Sequence, residues 1–156
     1  VDIHELLGDV ATSVSGQAEA AGVELYSEVS GEAARLQVWG DAGRLDQVLS
    51  NLVANALDHT PPRGKIDLRA EQHLGGVVIA VSDTGSGIAA EDIENIFDRF
   101  WRGEGRRQTG SGLGLAIAKH LVQAHQGEIS VESQPGEGAT FTINLPENEK
   151  NSKTEQ

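Results

Sequence analysis

Over the first 22 residues apolar side chains recur at Ile3, Leu6, Leu7, Val10, Val14 and Ala18, with polar residues between them. That 3.6-residue rhythm predicts an amphipathic helix ending near Gly22. A second stripe, Leu45, Val48, Leu49, Leu52, Val53 and Ala56, predicts another helix, with Asp41 placed to cap it. Between the two, VELYSEV and LQVWG read as a pair of short strands. Past the turn residues Pro61, Pro62, Arg63 and Gly64, the runs KIDLRAE and GVVIAVSD predict a hairpin closed by HLGG. A short helix is expected from Glu91 to Ile96, and then WRGEGRRQTGSG, glycine-rich and without periodicity, reads as a mobile loop. A third long helix is predicted from Leu113 to His125, stopped by Gly127, before two last strands, GEISVESQ and ATFTINL, that turn at PGEG. Helices and strands come in mixed runs, without strict βαβ alternation, so an α+β two-layer sandwich is expected. The predicted domain covers residues 1–146; the polar stretch 147–156 is expected to be a disordered tail.

The bulk numbers narrow the function classes. A chain of 156 residues fits one domain with a single core. Its longest apolar runs fall far short of the ~20 residues needed to span a bilayer, and no charged-then-apolar leader opens it, so a soluble domain is expected. It has no cysteine, which excludes disulfides and thiolate metal sites, and no methionine even at position 1, so it is expected to be a piece of a longer polypeptide. A net charge of −12 argues against nonspecific binding to nucleic acid, whose affinity rests on neutralising phosphates. Against that background Arg99, Arg102, Arg106 and Arg107 lie close together, which fits a solvated loop or a phosphate clamp.

Four stretches carry candidate chemistry. In NLVANALDHTP, residues 51–61, Asn51, Asn55 and Asp58 fall on one helix face opposite the apolar stripe, with His59 beside them. Such a face is either solvated polar surface or a source of neutral amide oxygens for an octahedral Mg²⁺ whose remaining ligands are phosphate and water. In VVIAVSDTGSGI, residues 77–88, Asp83 follows an apolar strand, and Gly85 and Gly87 permit a tight turn and the close approach of a flat ligand. A carboxylate there can make an ordinary Asx turn or accept from an exocyclic amine such as that of adenine. It can also open an aspartic protease loop, but that chemistry needs two carboxylates sharing a proton, and the chain has a single Asp-Thr-Gly, so a homodimer would have to supply the other. In TGSGLGLAIAK, residues 109–119, the glycines 110, 112 and 114 open a helix without the Gly-Lys-Ser/Thr of a P-loop. A hinge or an anion site at a helix N-terminus fits equally. In IFDRFWRG, Phe97 and Phe100 suit packing of a helix end, and Arg102 can reach a phosphate. Trp39 and Trp101 read as packing or lid residues, and His73, His120 and His125 as surface or helix-end residues without a role.

Taken in order, NxxxN on a helix, D-x-G-x-G after a strand, FxxF with arginine and GxGLGL opening a helix resemble the catalytic ATP-binding domain of bacterial sensor histidine kinases. The resemblance covers Val1 to Pro146, and GxGLGLAI with NLxxNAxxHTP is close to a signature. It implies a Bergerat-type sandwich: a mixed five-stranded sheet with three helices on one face. It also implies Mg²⁺ and ATP as ligands, with Asn55 as the metal ligand and Asn51 beside it near the phosphates. Asp83 would accept the adenine amino group, Gly85 and Gly87 would shape the pocket, and Ile88 would pack near the base. Arg102 would reach the phosphates from the lid; Gly110, Gly112 and Gly114 would close the lid's far end, and Leu113 and Leu115 would seat the next helix. Many members carry a basic residue where this chain has Asp58, so part of the phosphate contact would fall to His59, the lid arginines or the metal.

At the Asn51 position the gyrase-like ATPases carry a glutamate that activates water, and an amide cannot do so, which favours phosphoryl transfer over hydrolysis. The implied activity is that of an ATP-dependent protein histidine kinase, with a purely signalling nucleotide module as the alternative. Its implied partners are a histidine-bearing dimerisation domain of the same protein, absent from this chain, and a response regulator downstream. IHELL, residues 3–7, lacks the basic residue and proline of a phosphoacceptor box, so His4 is not the expected acceptor. The full-length protein is expected to be a homodimer and the isolated domain a monomer. Resemblance places the domain in the cytoplasm, often in a membrane-anchored whole.

Overall fold

A computed structural model describes residues 1–30, 37–73, 75–98 and 114–146. The predicted segment with Arg99, Phe100, Trp101, Arg102, Gly110, Gly112 and Leu113, and the predicted tail at 147–156, lie outside these residues.

Helix α1, Ile3–Ala21, is capped by Asp2, whose carboxylate accepts from the Glu5 N–H, and its buried residues are the six that the periodicity singled out. It ends in a Schellman turn. Gly22 takes φ 72°, its N–H donates to the Glu19 carbonyl, and the Val23 N–H donates to that of Ala18. Strand β1, Glu24–Val29, follows. LQVWG does not make a second strand: among the described residues it contributes isolated bridging, Gln37 opposite Asp2, while Val38 exchanges backbone hydrogen bonds with Val1. Val38 from that stretch enters the core, while Trp39, expected to pack, is 58% exposed.

Asp41 caps α2, Ala42–His59, through the Arg44 N–H. Strands β2, Lys65–His73, and β3, Gly76–Asp83, form the predicted hairpin. The single turn α3, Ala90–Ile93, is shorter than the predicted helix and passes into turns. Helix α4, Gly114–Ala124, and strands β4, Glu128–Ser133, and β5, Ala139–Pro146, complete the described chain.

The five strands lie in the order β1-β2-β3-β5-β4, with β1 parallel to β2 and the other pairs antiparallel. This is the mixed five-stranded sheet that the resemblance implied. Register puts Ile66, Leu68 and Ala70 of β2, Val77, Ile79 and Val81 of β3, and Phe141, Ile143 and Leu145 of β5 on one face, all buried. Helices α1, α2 and α4 cover that face, and a fully buried side chain of this size contributes roughly 1.5–3 kcal/mol. Phe97 stands edge-on to Phe141 with ring centroids 6.1 Å apart, and the Lys119 ammonium lies 5.6 Å from the Phe97 ring centre. The packing role expected for Phe97 therefore holds.

Two details depart from the expected element ends. Helix α4 also finishes in a Schellman turn, but Gln126, not glycine, takes the left-handed position at φ 63°. Its N–H donates to the Gln123 carbonyl and that of Gly127 to Val122. Gly127 is needed one position later, where a Cβ would run into the Asn144 carbonyl of β5. His125, given no role by sequence, ties this end of α4 to the start of α2. Its Nδ1 lies 2.8 Å from the Leu121 carbonyl, which only accepts, so Nδ1 carries the proton; its Nε2 accepts from the Asp41 N–H at 3.1 Å. The imidazole is thus held as the neutral Nδ1–H tautomer between two helices.

Candidate functional site

Helix α2 is the spine on which the candidate residues converge. Its apolar stripe faces the sheet, and because α1 and α4 flank it, the opposite face is not simply solvated: Asn55 is 5% exposed, and Asn51, Asp58 and His59 are half-buried. The Asn51 Nδ2 donates to the Gly114 carbonyl at 3.1 Å, joining the middle of α2 to the first residue of α4. Since a carbonyl only accepts, the Asn51 amide nitrogen must face Gly114, which leaves its oxygen for other partners. Gly114 is half-buried and Leu115, at the start of α4, is 7% exposed.

At the C-terminal end of α2, Thr60 leaves the helix in an extended conformation ahead of Pro61 and returns its hydroxyl to the Ala56 carbonyl at 2.7 Å. The His59 carbonyl accepts from the Ser86 N–H at 3.2 Å, so the loop after β3 rests on this helix end. Asp83, the last residue of β3, is 7% exposed. Its Oδ1 accepts from the Gly85 N–H at 2.9 Å, which makes the Asx turn, and the Ala139 N–H belongs to the residue opposite it in the β3–β5 register. Burial pushes the carboxyl above the ordinary aspartate value, and these two N–H groups pull it partly back. A buried carboxylate with one oxygen already occupied can present the other to a single strong donor.

The glycines of this loop also make room for neighbouring backbone. A Cβ on Gly85 would strike the His59 carbonyl, and one on Gly87, which sits at φ 74°, would strike that of Gln134. Ile88 is 5% exposed and is fixed by its N–H, which donates to the Ser133 hydroxyl at 2.7 Å. The sequence placed the PGEG turn between β4 and β5 but gave neither it nor Ser133 a role; the one available signal was a serine two residues before Pro135 at a strand end, and it is weak. The contacts fall into two groups: Asn51 with Gly114 at the start of α4, and the end of α2 at His59 with Gly85 and Ser86 of the loop that carries Asp83. Arg102, Gly110, Gly112 and Leu113 lie outside the described residues.

Residues 40–149 match the family described as histidine kinase-, DNA gyrase B- and HSP90-like ATPase. The chain belongs to that family. Among its relatives, the sensor histidine kinase RppB of Synechocystis sp. is 38% identical over 147 residues, 92% of this chain but 32% of RppB. The catalytic domain of the histidine kinase ThkA superposes with a TM-score of 0.83 at 30% identity, covering 95% of this chain and 94% of that one. Full-length ShkA, solved in complex with AMPPNP, superposes at 0.82 with 36% identity, covering 94% of this chain and 30% of ShkA. Within the family the chain therefore stands with the histidine kinase catalytic domains. It spans about a third of the curated relative's length, and among the described residues no helix is long and apolar enough to cross a membrane.

The donor set also bears on metal. Among the described residues no group of three or more His, Cys, Asp or Glu could hold an ion. Asn55 offers one neutral oxygen, and Asn51 a second four residues earlier. That set fits a hard cation such as Mg²⁺ if most of its ligands come from a bound polyphosphate and water.

Proposed function

We propose that this domain binds Mg-ATP and donates the γ-phosphoryl group to a histidine on a separate helical dimerisation domain of the same protein. Asp83 accepts the adenine amino group; Gly85, Gly87 and Ile88 form the walls beside the base. Asn55, with Asn51, holds the metal end of the triphosphate, and His59 lies beside the phosphates. Arg102, Gly110, Gly112, Leu113, Gly114 and Leu115 belong to the segment that covers the phosphates and to the helix start that follows it. In the reaction the acceptor imidazole nitrogen forms a bond to the γ-phosphorus, the bond to the β–γ bridging oxygen breaks, and ADP leaves with that oxygen. When bound, Mg²⁺ offsets the charge of the phosphate oxygens. The protein's part is to position and neutralise, with little acid–base work.

The observation that carries the choice of transfer over hydrolysis is Asn51, an amide whose nitrogen is committed to the Gly114 carbonyl. It can neither take a proton from water nor become a carboxylate base. The domain is expected to act in the cytoplasm and to signal onward through a response regulator. The test is to mix it with a histidine-bearing helical domain and γ-labelled ATP. Acid-labile label on the helical domain supports the proposal; nucleotide binding without transfer would leave a signalling module, and no binding would refute both.

A further inference from the structure

We infer that Ser133 is a positioning residue for adenine recognition, acting through the Asp83 loop; this rests on the nucleotide-binding reading above. Ser133 ends β4, the strand at the edge of the sheet next to β5. Its hydroxyl accepts from the Ile88 N–H at 2.7 Å and donates to the Gly138 carbonyl at 2.7 Å. The roles are fixed, because an amide N–H only donates and a carbonyl only accepts, so the single hydroxyl proton must go to Gly138.

Those two bonds tie together two segments that pack against each other. On one side lie residues 83–88, the loop that holds the buried carboxylate. On the other lies the β4–β5 turn, which follows the loop closely. The Gly136 N–H donates to the Ser86 carbonyl at 2.7 Å, and Gly87 lies against the Gln134 carbonyl. Gly138 packs against the Asp83 carbonyl so tightly that it has no room for a Cβ, and the next residue, Ala139, pairs with Asp83 in the β3–β5 register. The turn is therefore a mould for the loop, and Ser133 is the side-chain pin that fixes it at both ends: Ile88 beside the base, and Gly138 under Asp83. Without the hydroxyl, the Ile88 N–H and the Gly138 carbonyl both lose a partner. The carboxylate oxygen that faces the base then wanders by a fraction of an ångström, enough to weaken a directional hydrogen bond.

The base discriminates this role from mere support. Adenine presents an amino donor to Asp83, whereas guanine presents a carbonyl oxygen, which the carboxylate repels. A loosened Asp83 should lose affinity for adenine while guanine, which never gained from it, changes little. The experiment is calorimetric titration of wild type, Ser133→Ala, Ser133→Thr and Ser133→Cys with Mg-AMPPNP and Mg-GMPPNP, with thermal melts alongside. Expected is a ~10-fold weaker Kd for AMPPNP in Ser133→Ala, the loss of about one charge-assisted hydrogen bond, with a ratio of the two Kd values ~10-fold smaller. Threonine should restore the ratio and cysteine, a weak donor of similar size, should fall between. Should alanine prevent folding, the cysteine variant carries the same comparison. A ratio unchanged in the variants, or equal weakening toward both nucleotides, would overturn the inference while leaving the nucleotide site standing. Failure of the wild type to bind AMPPNP would overturn the site itself.

Discussion

Asp83 is held in conflict between its fold and its charge. Burial raises its carboxyl above the ordinary aspartate value, so the folded chain keeps the proton to higher pH than the unfolded chain does. Through the window from the unfolded value, about 4, up to the raised folded value, the native state binds more protons, so stability falls as pH rises. Above that window the ionised carboxylate is a standing cost. Asparagine can keep the Oδ1 acceptor for the Gly85 N–H without a charge to desolvate, but it turns the second carboxylate oxygen into an amine that opposes adenine's own donor. Asp83→Asn is therefore expected to melt at or above the wild-type temperature at pH 7, to show a flatter loss of stability above pH about 4, and to bind AMPPNP at least ~10-fold more weakly. Melts from pH 4 to 8 with a parallel titration check it; a variant less stable than wild type at neutral pH would show that the carboxylate supports the loop. Asp83 was legible in the sequence because an aspartate after an apolar strand and before two glycines is a local pattern. The use of those glycines was not, since the backbone they admit, at His59 and Gln134, lies dozens of residues away.

At the level of elements, the same local physics was read well at one helix end and badly at another. Helices α1 and α4 close with one hydrogen-bonding scheme, yet the left-handed residue is Gly22 in the first and Gln126 in the second. Glycine marks such a stop openly; a glutamine there has no sequence signature, and the nearby Gly127 drew the assignment one residue too far. An L side chain in this conformation costs roughly 1 kcal/mol that glycine avoids. Gln126→Gly is thus expected to stabilise the domain by about 0.5–1 kcal/mol, and Gly22→Ala to destabilise it by about 1 kcal/mol or more, both read by urea unfolding. A destabilising Gln126→Gly would mean that contacts of the glutamine side chain outweigh its backbone strain. LQVWG failed as a strand for a related reason: its pattern is apolar enough, but among the described residues its pairing stops at Gln37 opposite Asp2 and Val38 bonded to Val1. Propensity without a neighbour makes no sheet.

Over the whole molecule, the site is assembled from segments far apart in sequence: the middle and end of α2, the loop after β3, the β4–β5 turn and the first turn of α4. None of them holds its shape alone, since Asn51 leans on Gly114, Ser86 on His59 and Ile88 on Ser133. A ligand that binds this arrangement binds only the folded chain, and so must stabilise all of it. At 100 times its Kd, Mg-AMPPNP should add about 2.7 kcal/mol to the unfolding free energy, which for a chain of this size raises Tm by roughly 5–10 °C. Because ligand affinity, and not the resting fold, is what Asp83→Asn removes, the variant should start from a similar Tm and gain little at the same ligand concentration. Ser133→Ala should fall between, gaining less than wild type while still responding to a tenfold increase in ligand. Differential scanning calorimetry on the three proteins, with and without the nucleotide, reads these shifts directly. An equal shift in wild type and Asp83→Asn would mean that the phosphates alone carry the binding, and that the buried carboxylate at the end of β3 holds its loop without ever meeting the base.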